Sequence, residues 1–597
     1  MDLAPLSDPL ALWRHVAPGS NVRAPILPPP PLPLRMRARF ATGLLAGVVA
    51  LAGACRETRD GGIAANGPPV DAADGGTLIV AVPAEPGTLF PPLVTGTQGA
   101  AVVSALFDRL AEIGPALETY GDQGFTPRLA SRWRWSPDSL SIAFTIDARA
   151  RWHDGRPVRA ADVRFTYLTY VNPAVGSEGA PLLASIDSVT APDDSTAVFW
   201  FRERTPRQFF DATYHMVVLP AHLLDTVPPA RLADAPFARQ PVGSGRFRLA
   251  AWEPGQRLEV VAVPDHPRGR PHLDRVIWSL VPDVNAATMK LFAGEADFYE
   301  LIRPENLPQL ARTPSVRLVD NPALQYGFLG FNLRDPRGAG AAHPVLGDSL
   351  VRRALSMAVD RRQLARSVFD SLGITALGPA PRALIPDSLA FTAPAHDPAA
   401  ARTLLEAAGW RDGNGDGIRD RNGRDLAFDL LVPNSSQTRQ RYAVLLQEQL
   451  RAVGARVTPR ILEVNALVAQ LDAHTFDAYL GSWQTSPGLA GMRQTWGSTG
   501  GGNVGRYASP AFDAAVDSAL TSRDPVAARS HWSRAFRQIV ADAPAIWLYE
   551  QRQPVALHRR VQVPPLRADG WYADLADWWI DPAQRLPRDR IGLGTPP

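Results

Sequence analysis

Apolar and polar side chains alternate most clearly at residues 140–147, where the apolar ones occupy the even positions. This two-residue period is that of a strand with one buried face. The segment WHDG at residues 152–155 breaks the alternation, and Gly155 can supply the positive φ that a turn often needs. Apolar residues then recur at helical spacing from Val163 to Val171. The block therefore predicts a strand, a tight turn and a helix.

Similar patterns along the rest of the chain predict an α/β fold, in which helices alternate with strands. A short apolar run at residues 76–82 and an alternating run at residues 325–333 predict two further strands. An apolar segment around residues 100–110 predicts a helix. Apolar faces, N-cap residues and terminating glycines predict more elements. These are a helix with Val351, Ala354, Leu355 and Ala358 on one face, a helix opened by Asp360 and Gln363, a helix that begins at Pro398 after the N-cap Asp397 and ends before Gly409, a helix at residues 442–453 and a strand at residues 456–461.

The composition is that of an ordinary globular chain able to bury large cores, with 45% hydrophobic and 20% charged residues among 597. Such a length accommodates roughly two to four domains. The net charge of +3 arises in the first 54 residues, because the remainder of the chain holds 57 positive and 57 negative groups. A neutral body has no bulk electrostatic attraction for nucleic acid, so we expect no nucleic-acid partner.

Residues 36–54 carry the features of an export signal. Arg37 and Arg39 precede a weakly polar run that is too short for a comfortable membrane-spanning helix and ends in small residues. The run stops at Cys55, the only cysteine in the sequence, which leaves no partner for an internal disulfide. We predict a signal peptide here and expect residues 1–35 to be an over-extended start.

The residues LAGAC that end at Cys55 resemble a bacterial lipobox, in which the cysteine is lipidated and becomes the new N-terminus. Ala52 stands where a leucine is usual, and Leu51 lies one step further out. We predict lipidation of Cys55, with a simple cleaved signal or an uncleaved anchor as the alternatives. Residues 55–75 are rich in Gly, Ala, Asp and Pro and are expected to form a flexible tether.

Residues 412–420 hold the strongest ligand-like pattern. Oxygen-bearing side chains at loop positions 1, 3, 5 and 9, with glycine at position 6, copy the front of an EF-hand loop. Gly423 stands where the bidentate glutamate is expected, so the last two oxygens are missing. We favour a polar turn and predict no metal site, with weak calcium binding as the alternative.

Motifs of catalysis are missing from the sequence. His153 and Asp154 are adjacent, but neighbours on a turn rarely point at one substrate atom, so we interpret them as a structural turn. No GxSxG elbow and no HExxH helix occurs. The glycine-rich residues 241–247 are not followed by the Lys-Ser/Thr pair of a phosphate loop and predict a close turn. Residues 497–503 predict a mobile loop, with an anion-binding nest as the alternative.

Several blocks resemble, in the same order, the peptide- and nickel-binding proteins of ABC transporters (solute-binding protein family 5). The predicted strand, the WHDG turn and the segment AADVRF at residues 160–165 are similar to one family block. The other similar segments are PVGSGRF at residues 241–247, LFAGEADF at residues 291–298, QYGFLGFNL at residues 325–333, and residues 503–549. The resemblance covers roughly residues 76–556, nearly the whole predicted folded body.

The resemblance implies an α/β, two-lobed periplasmic-binding-protein fold of the Venus-flytrap, class II type with an extra inserted domain. The strands near residues 325–332 and 545–549 would form the hinge between the lobes. The implied boundaries are residues 76–111, 238–322 and 544–597 for domain I, residues 112–237 for the inserted domain II, and residues 323–543 for domain III, the second lobe.

The resemblance also implies a ligand site in the cleft between the lobes. Trp483 matches a tryptophan that lines the cleft in peptide-binding relatives, with core packing as its alternative role. Ser486 stands where those relatives have an aspartate that pairs with the peptide ammonium. Either Asp477 or another acid supplies this charge, or the ligand lacks a free amine. The expected ligand-binding residues are Trp483, Ser486, Asn503, Tyr326, Asn332 and Thr97.

These features predict an extracytoplasmic solute-binding component of an ABC importer, which captures oligopeptides and delivers them to the membrane permease. Alternative cargoes are an oligosaccharide, an opine-like conjugate or a metal chelate. A secreted two-lobed hydrolase and an extracytoplasmic sensor are the alternative functions. We expect a monomer without enzymatic activity or cofactor, located in the periplasm or cell envelope and held to a membrane by the lipid on Cys55.

Overall fold

A computed structural model describes residues 74–338, 340–385, 391 and 393–590. The predicted export signal, Cys55 and nearly all of the predicted tether lie outside these residues. Within the described ranges, no helix is both long and apolar enough to cross a membrane.

A seven-stranded sheet takes its strands from widely separated parts of the chain. In order across the sheet, the strands are Val316–Val319, Val555–His558, Phe298–Tyr299, Thr77–Val82, Arg275–Leu280, Arg257–Ala262 and Phe247–Glu253. Thr77–Val82 runs parallel to both of its neighbours. The strand predicted at residues 76–82 is confirmed, and most of its side chains are buried, as expected for a central parallel strand. The helices of this part are Gly96–Leu106, Val284–Phe292 and Leu307–Leu310.

A four-stranded antiparallel sheet contains the block with the clearest alternation. In order, its strands are Ala130–Trp135, Ser141–Ile146, Thr196–Phe201 and Ile186–Thr190. The predicted strand, turn and helix are confirmed, since Gly155 has a φ of +86° and a helix spans Ala160–Tyr170. Nearby elements are the strand pair Ala111–Ile113 and Phe125–Pro127 and the helices Gln208–Thr213 and Ala221–Leu224.

A six-stranded sheet organises most of the second half of the chain. In order, its strands are Gly373–Ile374, Ala545–Gln551, Gln325–Phe331, Ala478–Gln484, Ala427–Pro433 and Arg456–Leu462. Its helices are Ser349–Ala358, Arg361–Phe369, Pro398–Ala407, Gln437–Arg451, Val464–Asp472, Gly491–Trp496, Pro510–Thr521 and Pro525–Asp542. The predicted N-caps are confirmed: Asp360 accepts a hydrogen bond from the Gln363 N–H, and Asp397 accepts one from the Ala400 N–H. Two small ladders complete the described strands, Asp420–Arg421 with Arg424–Asp425 and Val561–Gln562 with Trp579–Ile580.

The chain crosses between the seven-stranded and the six-stranded sheet at residues 320–324 and 552–554. The two crossings lie side by side, because Gln553 N–H donates to the Asn321 carbonyl at 3.4 Å. Arg552 and Asp320 add an ion pair at 3.4 Å. The strand Ala545–Gln551, placed in domain I by the sequence analysis, is hydrogen-bonded in the six-stranded sheet beside Gln325–Phe331. Both strands named as hinge elements lie inside this sheet, and the crossings follow at their ends.

The WHDG turn is bound to the glycine-rich turn at residues 241–247. His153 Nδ1 accepts a hydrogen bond from the Gly243 N–H at 3.1 Å, and its Nε2 lies 3.0 Å from the Gly245 carbonyl. A Cβ on Gly243 would lie 1.8 Å from the Leu106 carbonyl oxygen, so only glycine allows this close approach. Burial lowers the pKa of His153, which favours the neutral ring. Asp154 does not pair with His153 but forms an ion pair with His222. The structural interpretation of this pair is confirmed.

Candidate functional site

Strand register places one edge of the seven-stranded sheet beside both crossings. Phe298 pairs with Val80 on one side and with Leu557 on the other. Glu300, two residues further along, therefore lies level with Val82 and with Val555, the ends nearest the crossings. In open sheets with parallel strands, ligands bind at the carboxyl ends of those strands. We call this edge of the sheet the first cleft edge. It includes Glu300 and the start of the helix Gly96–Leu106.

The end of the six-stranded sheet that receives the first crossing carries Trp483. Gln325 pairs with Gln484 and Tyr326 with Trp483, so these residues lie where the first crossing enters the sheet. We call this end the second cleft edge. The Trp483 side chain is half-buried, and its Nε1–H finds no acceptor in the described part of the chain. A Cβ on Gly502 would contact the indole ring at 3.4 Å, so a glycine-rich loop covers one side of the ring.

Tyr326 lies under the second cleft edge and is 1% exposed. Its hydroxyl accepts a hydrogen bond from Trp496 Nε1 at 3.0 Å. The ring also lies 5.9 Å from Phe328 and 6.3 Å from Trp547, within an aromatic cluster. Burial raises the pKa of the Tyr326 phenol. The Tyr326 side chain packs beneath the strand pair that carries Trp483. It exposes no surface to which a ligand could bind.

Asn332 and Asn503 bind to the protein itself. Asn332 is fully buried, and its Nδ2 donates to the His474 and Phe476 carbonyls while its Oδ1 accepts from the Arg506 guanidinium. It follows the strand end opposite to Tyr326, about 20 Å away at 3.3 Å per residue. Asn503 is 9% exposed, and its Nδ2 donates to the Gly497 and Tyr507 carbonyls.

The Asn503 side chain thus closes the loop at residues 497–503. The Asn503 amide also accepts from the Tyr507 N–H at 3.0 Å. Gly502 N–H donates to the Gln494 carbonyl at 3.0 Å. These hydrogen bonds hold the loop against Trp483. Asn503 therefore shapes the second cleft edge indirectly, because it fixes the backbone of this loop.

Ser486 and Thr97 are both exposed and lie one on each cleft edge. Ser486 follows Thr485, whose N–H donates to the Leu324 carbonyl at the end of the first crossing at 2.7 Å. Thr97 lies in the first turn of the helix Gly96–Leu106. Its neighbour Gln98 reaches Glu300. The structure therefore brings Trp483, Ser486 and Thr97 to the cleft edges, while Tyr326, Asn332 and Asn503 lie beneath or away from them.

Asp477 does not stand in for the missing acid at Ser486. It precedes the strand Ala478–Gln484 at the end opposite to Trp483. Its Oδ1 accepts from His343 Nε2 and its Oδ2 from the Asp429 N–H, both at 3.0 Å. Burial alone would raise the pKa of Asp477, but these hydrogen bonds outweigh burial and lower it. Both oxygens of this carboxylate therefore accept hydrogen bonds from within the protein.

Glu300 is a further acid at the first cleft edge, and the sequence did not single it out. Its Oε1 accepts from Gln98 Nε2 at 2.9 Å, and its Oε2 accepts from Trp571 Nε1 at 2.8 Å. Burial raises the pKa of this carboxyl, although both hydrogen bonds oppose the rise. The sequence signal was its position directly after the buried pair Phe298–Tyr299, two residues beyond the LFAGEADF block.

The EF-hand-like loop forms an Asx-rich turn. Asp412 accepts from the N–H groups of Gly415 and Gly417, and Asp416 accepts from the N–H of Ile418. The Asp420 carboxylate accepts from the Gly413 N–H. Across the described residues, no group of three or more His, Cys, Asp or Glu side chains is arranged to hold a metal ion.

A sequence profile of the bacterial extracellular solute-binding proteins, family 5 Middle, matches residues 124–503, which is more than half of the chain. The chain belongs to this family of solute-binding proteins. Family 5 proteins are binding components of transport systems that work outside the cytoplasm, and they are not enzymes. The alternative functions, a secreted hydrolase and a sensor, are therefore not favoured.

Individual relatives extend the similarity of this family 5 protein to most of its length. The oligopeptide-binding protein AppA of Bacillus subtilis is 27% identical over 521 residues, covering 85% of this chain and 92% of AppA. The structure of AppA in complex with a nonapeptide covers 85% of this chain with a TM-score of 0.64 and 26% identity. The ABC transporter substrate-binding protein CtaP of Listeria monocytogenes has the same fold, with a TM-score of 0.71 and 20% identity over 85% of this chain. These neighbours support the two-lobed binding-protein fold.

Proposed function

We propose that this family 5 protein captures oligopeptides outside the cytoplasm and delivers them to the permease of an ABC importer. The observation that carries the proposal is the similarity to AppA, whose structure holds a nonapeptide, over 85% of this chain. The two cleft edges are consistent with this cargo. An extended peptide offers a carbonyl for every residue, and Trp483 offers an indole N–H without an acceptor in the described part of the chain.

The proposed mechanism is closure of two lobes about the paired crossings at residues 320–324 and 552–554. We assign the seven-stranded sheet to domain I, the four-stranded sheet to the inserted domain II and the six-stranded sheet to domain III. The strand Ala545–Gln551 then belongs to domain III, because it pairs with Gln325–Phe331. A peptide that contacts both cleft edges binds the closed form better than the open form and shifts the population toward closure.

We further propose that the mature chain starts at Cys55 and carries a lipid there. The supporting observation is the lipobox-like segment that follows a short apolar run, in a chain of an extracellular family. Lipid at Cys55 would hold the protein at a membrane through the tether at residues 55–75, close to its permease. We expect the protein to act as a monomer.

Native mass spectrometry of the full chain, extracted from bacterial membranes in detergent, tests both proposals in one measurement. The expected result is a chain that starts at Cys55 with the added mass of acyl groups, and a set of co-purifying oligopeptides of mixed sequence. Recovery of sugars or metal chelates in place of peptides would contradict the cargo, and release of shortened peptides on incubation would indicate a hydrolase. A chain of unmodified mass would contradict the lipid anchor.

A further inference from the structure

A cavity of about 290 Å³ lies beside the first cleft edge. Thr95 and Ser104 line it from the helix Gly96–Leu106, whose start belongs to that edge, and Tyr170 and His215 line it from the part of the chain around the four-stranded sheet. Within the described ranges, its lining residues lie at 91–109, 170–179, 215–217 and 572. The part of the chain that forms the six-stranded sheet is not among these segments. A peptide held between the two cleft edges therefore reaches this cavity with a side chain rather than with its backbone.

Arg109 brings a positive charge to the wall of the cavity. Its Nε–H donates to the Tyr214 carbonyl at 2.8 Å, and its guanidinium lies 5.1 Å from the centroid of the Tyr214 ring, so the group is held in one orientation. Its Nη1 lies 3.6 Å from Glu112, which is beyond hydrogen-bond distance. Within the described part of the chain, the two Nη nitrogens thus donate no hydrogen bond. Burial alone would lower the pKa of Arg109, but Glu112 and the neighbouring acidic groups raise it, so the guanidinium stays charged.

His215 adds a neutral group to the same wall. Its side chain is 6% exposed, and burial lowers its pKa to about 3, so the ring is uncharged at neutral pH. Its Nε2 lies 3.9 Å from Asp211, and neither ring nitrogen forms a hydrogen bond with another described residue. A neutral imidazole carries one N–H. A buried donor is therefore available to a group that enters the cavity.

Together these groups favour a carboxylate among the side chains of a peptide. A guanidinium presents N–H groups in the fork geometry that matches a carboxylate, and it holds its charge at every physiological pH. Glu178 also lines the cavity, but it is exposed, so solvent and salt screen its charge. The volume lies at the small end of the range for ligand pockets, which suits one side chain and excludes a whole peptide.

We propose that this cavity binds an acidic side chain of the cargo peptide and that Arg109 is the residue that selects it. The inference rests on the proposed function, since it adds a side-chain preference to a peptide cargo. In the complex, the carboxylate of an Asp or Glu side chain accepts hydrogen bonds from the Nη groups of Arg109 and from the ring N–H of His215. A hydrogen bond between charged groups is about twice as strong as a neutral one, so a Gln side chain in the same place is held less tightly.

The test uses the full chain and C-terminally amidated pentapeptides in which a single Glu, or a single Gln, is moved through the five positions. Amidation leaves the side chain as the only carboxylate. The wild type is expected to bind the Glu form at least about tenfold more tightly than the Gln form at one position, and Arg109→Gln should reduce that preference to less than about twofold. The matched control is Arg207→Gln. Arg207 is as exposed as Arg109, lies 5.0 Å from the ring centroid of Phe210 and has an acid 3.7 Å away, but it does not line the cavity, so the preference should survive.

A second variant leaves the contacts of Arg109 in place. Ser104→Asp adds a carboxylate to the cavity wall, which should repel an acidic side chain and also reduce the preference to less than about twofold. Thermal unfolding of the peptide-free variants shows which of them fold, and Ser104→Asp decides alone if Arg109→Gln does not. Equal wild-type affinities for the Glu and Gln forms at all five positions, or a preference that survives in a folded Arg109→Gln or Ser104→Asp protein, would overturn this inference alone. Failure of the wild type to bind any peptide would overturn the proposed function together with it.

Discussion

Trp483 and Asn332 lie at opposite ends of two neighbouring strands, and their hydrogen bonds differ in kind. The Asn332 amide is saturated by carbonyls and by a guanidinium within the protein. The Trp483 Nε1–H has no acceptor among the described residues, although the Nε1 nitrogen is buried. Leaving a buried donor unmade costs roughly 1–3 kcal/mol. Trp483 differs from the core indoles Trp410 and Trp578, which also lack an acceptor among the described residues, in being half-buried beside the crossing. At the scale of the residue, the Asn332 amide is committed to the fold, whereas the Trp483 N–H is the unpaired group of the proposed site.

Replacing Trp483 by alanine should therefore weaken peptide binding about tenfold or more, equivalent to about 1.4 kcal/mol. The half-buried indole contributes both the unpaired donor and a stacking surface for the cargo. Calorimetric titration with a free-amine pentapeptide measures the loss, and the melting temperature should change little. The control is Trp200→Ala, which removes an indole that is 45% exposed on the four-stranded sheet. An unchanged affinity in the Trp483→Ala protein would place that residue outside the binding site.

At the scale of secondary structure, buried charges join elements that the sequence keeps far apart. Asp297 is fully buried, and its carboxylate accepts from the Arg560 guanidinium at 2.7 and 2.9 Å and from Arg588 at 2.8 Å. It also accepts from the N–H of Ile79 on the central strand. Arg560 in turn pairs with Asp589 at 2.7 Å. This cluster ties residues 588–589 to the seven-stranded sheet beside the strand Thr77–Val82.

The substitution Asp297→Asn should destabilise the protein by about 3–5 kcal/mol, because it leaves the buried Arg560 with half of its counter-charge. Guanidinium unfolding followed by tryptophan fluorescence measures the change. Asp234→Asn is the control, since it breaks an exposed pair with Arg231 in which both side chains are more than 70% exposed. That control should lose less than about 0.5 kcal/mol. Equal losses in the two variants would mean that the cluster does not stabilise the sheet.

The elements were predictable from the sequence because their signals are local. The apolar residues at positions 142, 144 and 146 are buried on one face of the strand Ser141–Ile146, and the helix Pro398–Ala407 begins after its expected N-cap. Glu300 could not be predicted in the same way. Its partners Gln98 and Trp571 lie 202 and 271 residues away in sequence, so only the folded sheet brings them to the carboxylate. Sequence resemblance likewise could not show that Asn332 and Asn503 are occupied by the backbone.

At the scale of the whole molecule, two adjacent crossings connect the sheets that carry Glu300 and Trp483. One backbone hydrogen bond and one ion pair join the crossings, at Asn321 and Gln553 and at Asp320 and Arg552. Bending there also changes contacts of the helix Pro525–Asp542 with the chain ahead of the four-stranded sheet, where Trp532 Nε1 donates to the Tyr120 hydroxyl at 3.0 Å. A hinge of this kind allows the two lobes to move as rigid bodies, so that the two cleft edges approach each other while the packing within each sheet is preserved.

Saturating peptide should therefore make the protein more compact. If open and closed forms stand near 99:1 without cargo, reversal of that ratio requires about 5.5 kcal/mol of preferential binding to the closed form. Small-angle X-ray scattering of the same protein with and without a free-amine pentapeptide measures the change in radius of gyration. Trp483→Ala at the same peptide concentration should stay closer to the open value, because its second cleft edge holds the peptide less tightly. If calorimetry shows that the peptide saturates the protein but the radius of gyration does not change, binding does not close the lobes. The role of the crossings as a hinge would then have to be abandoned.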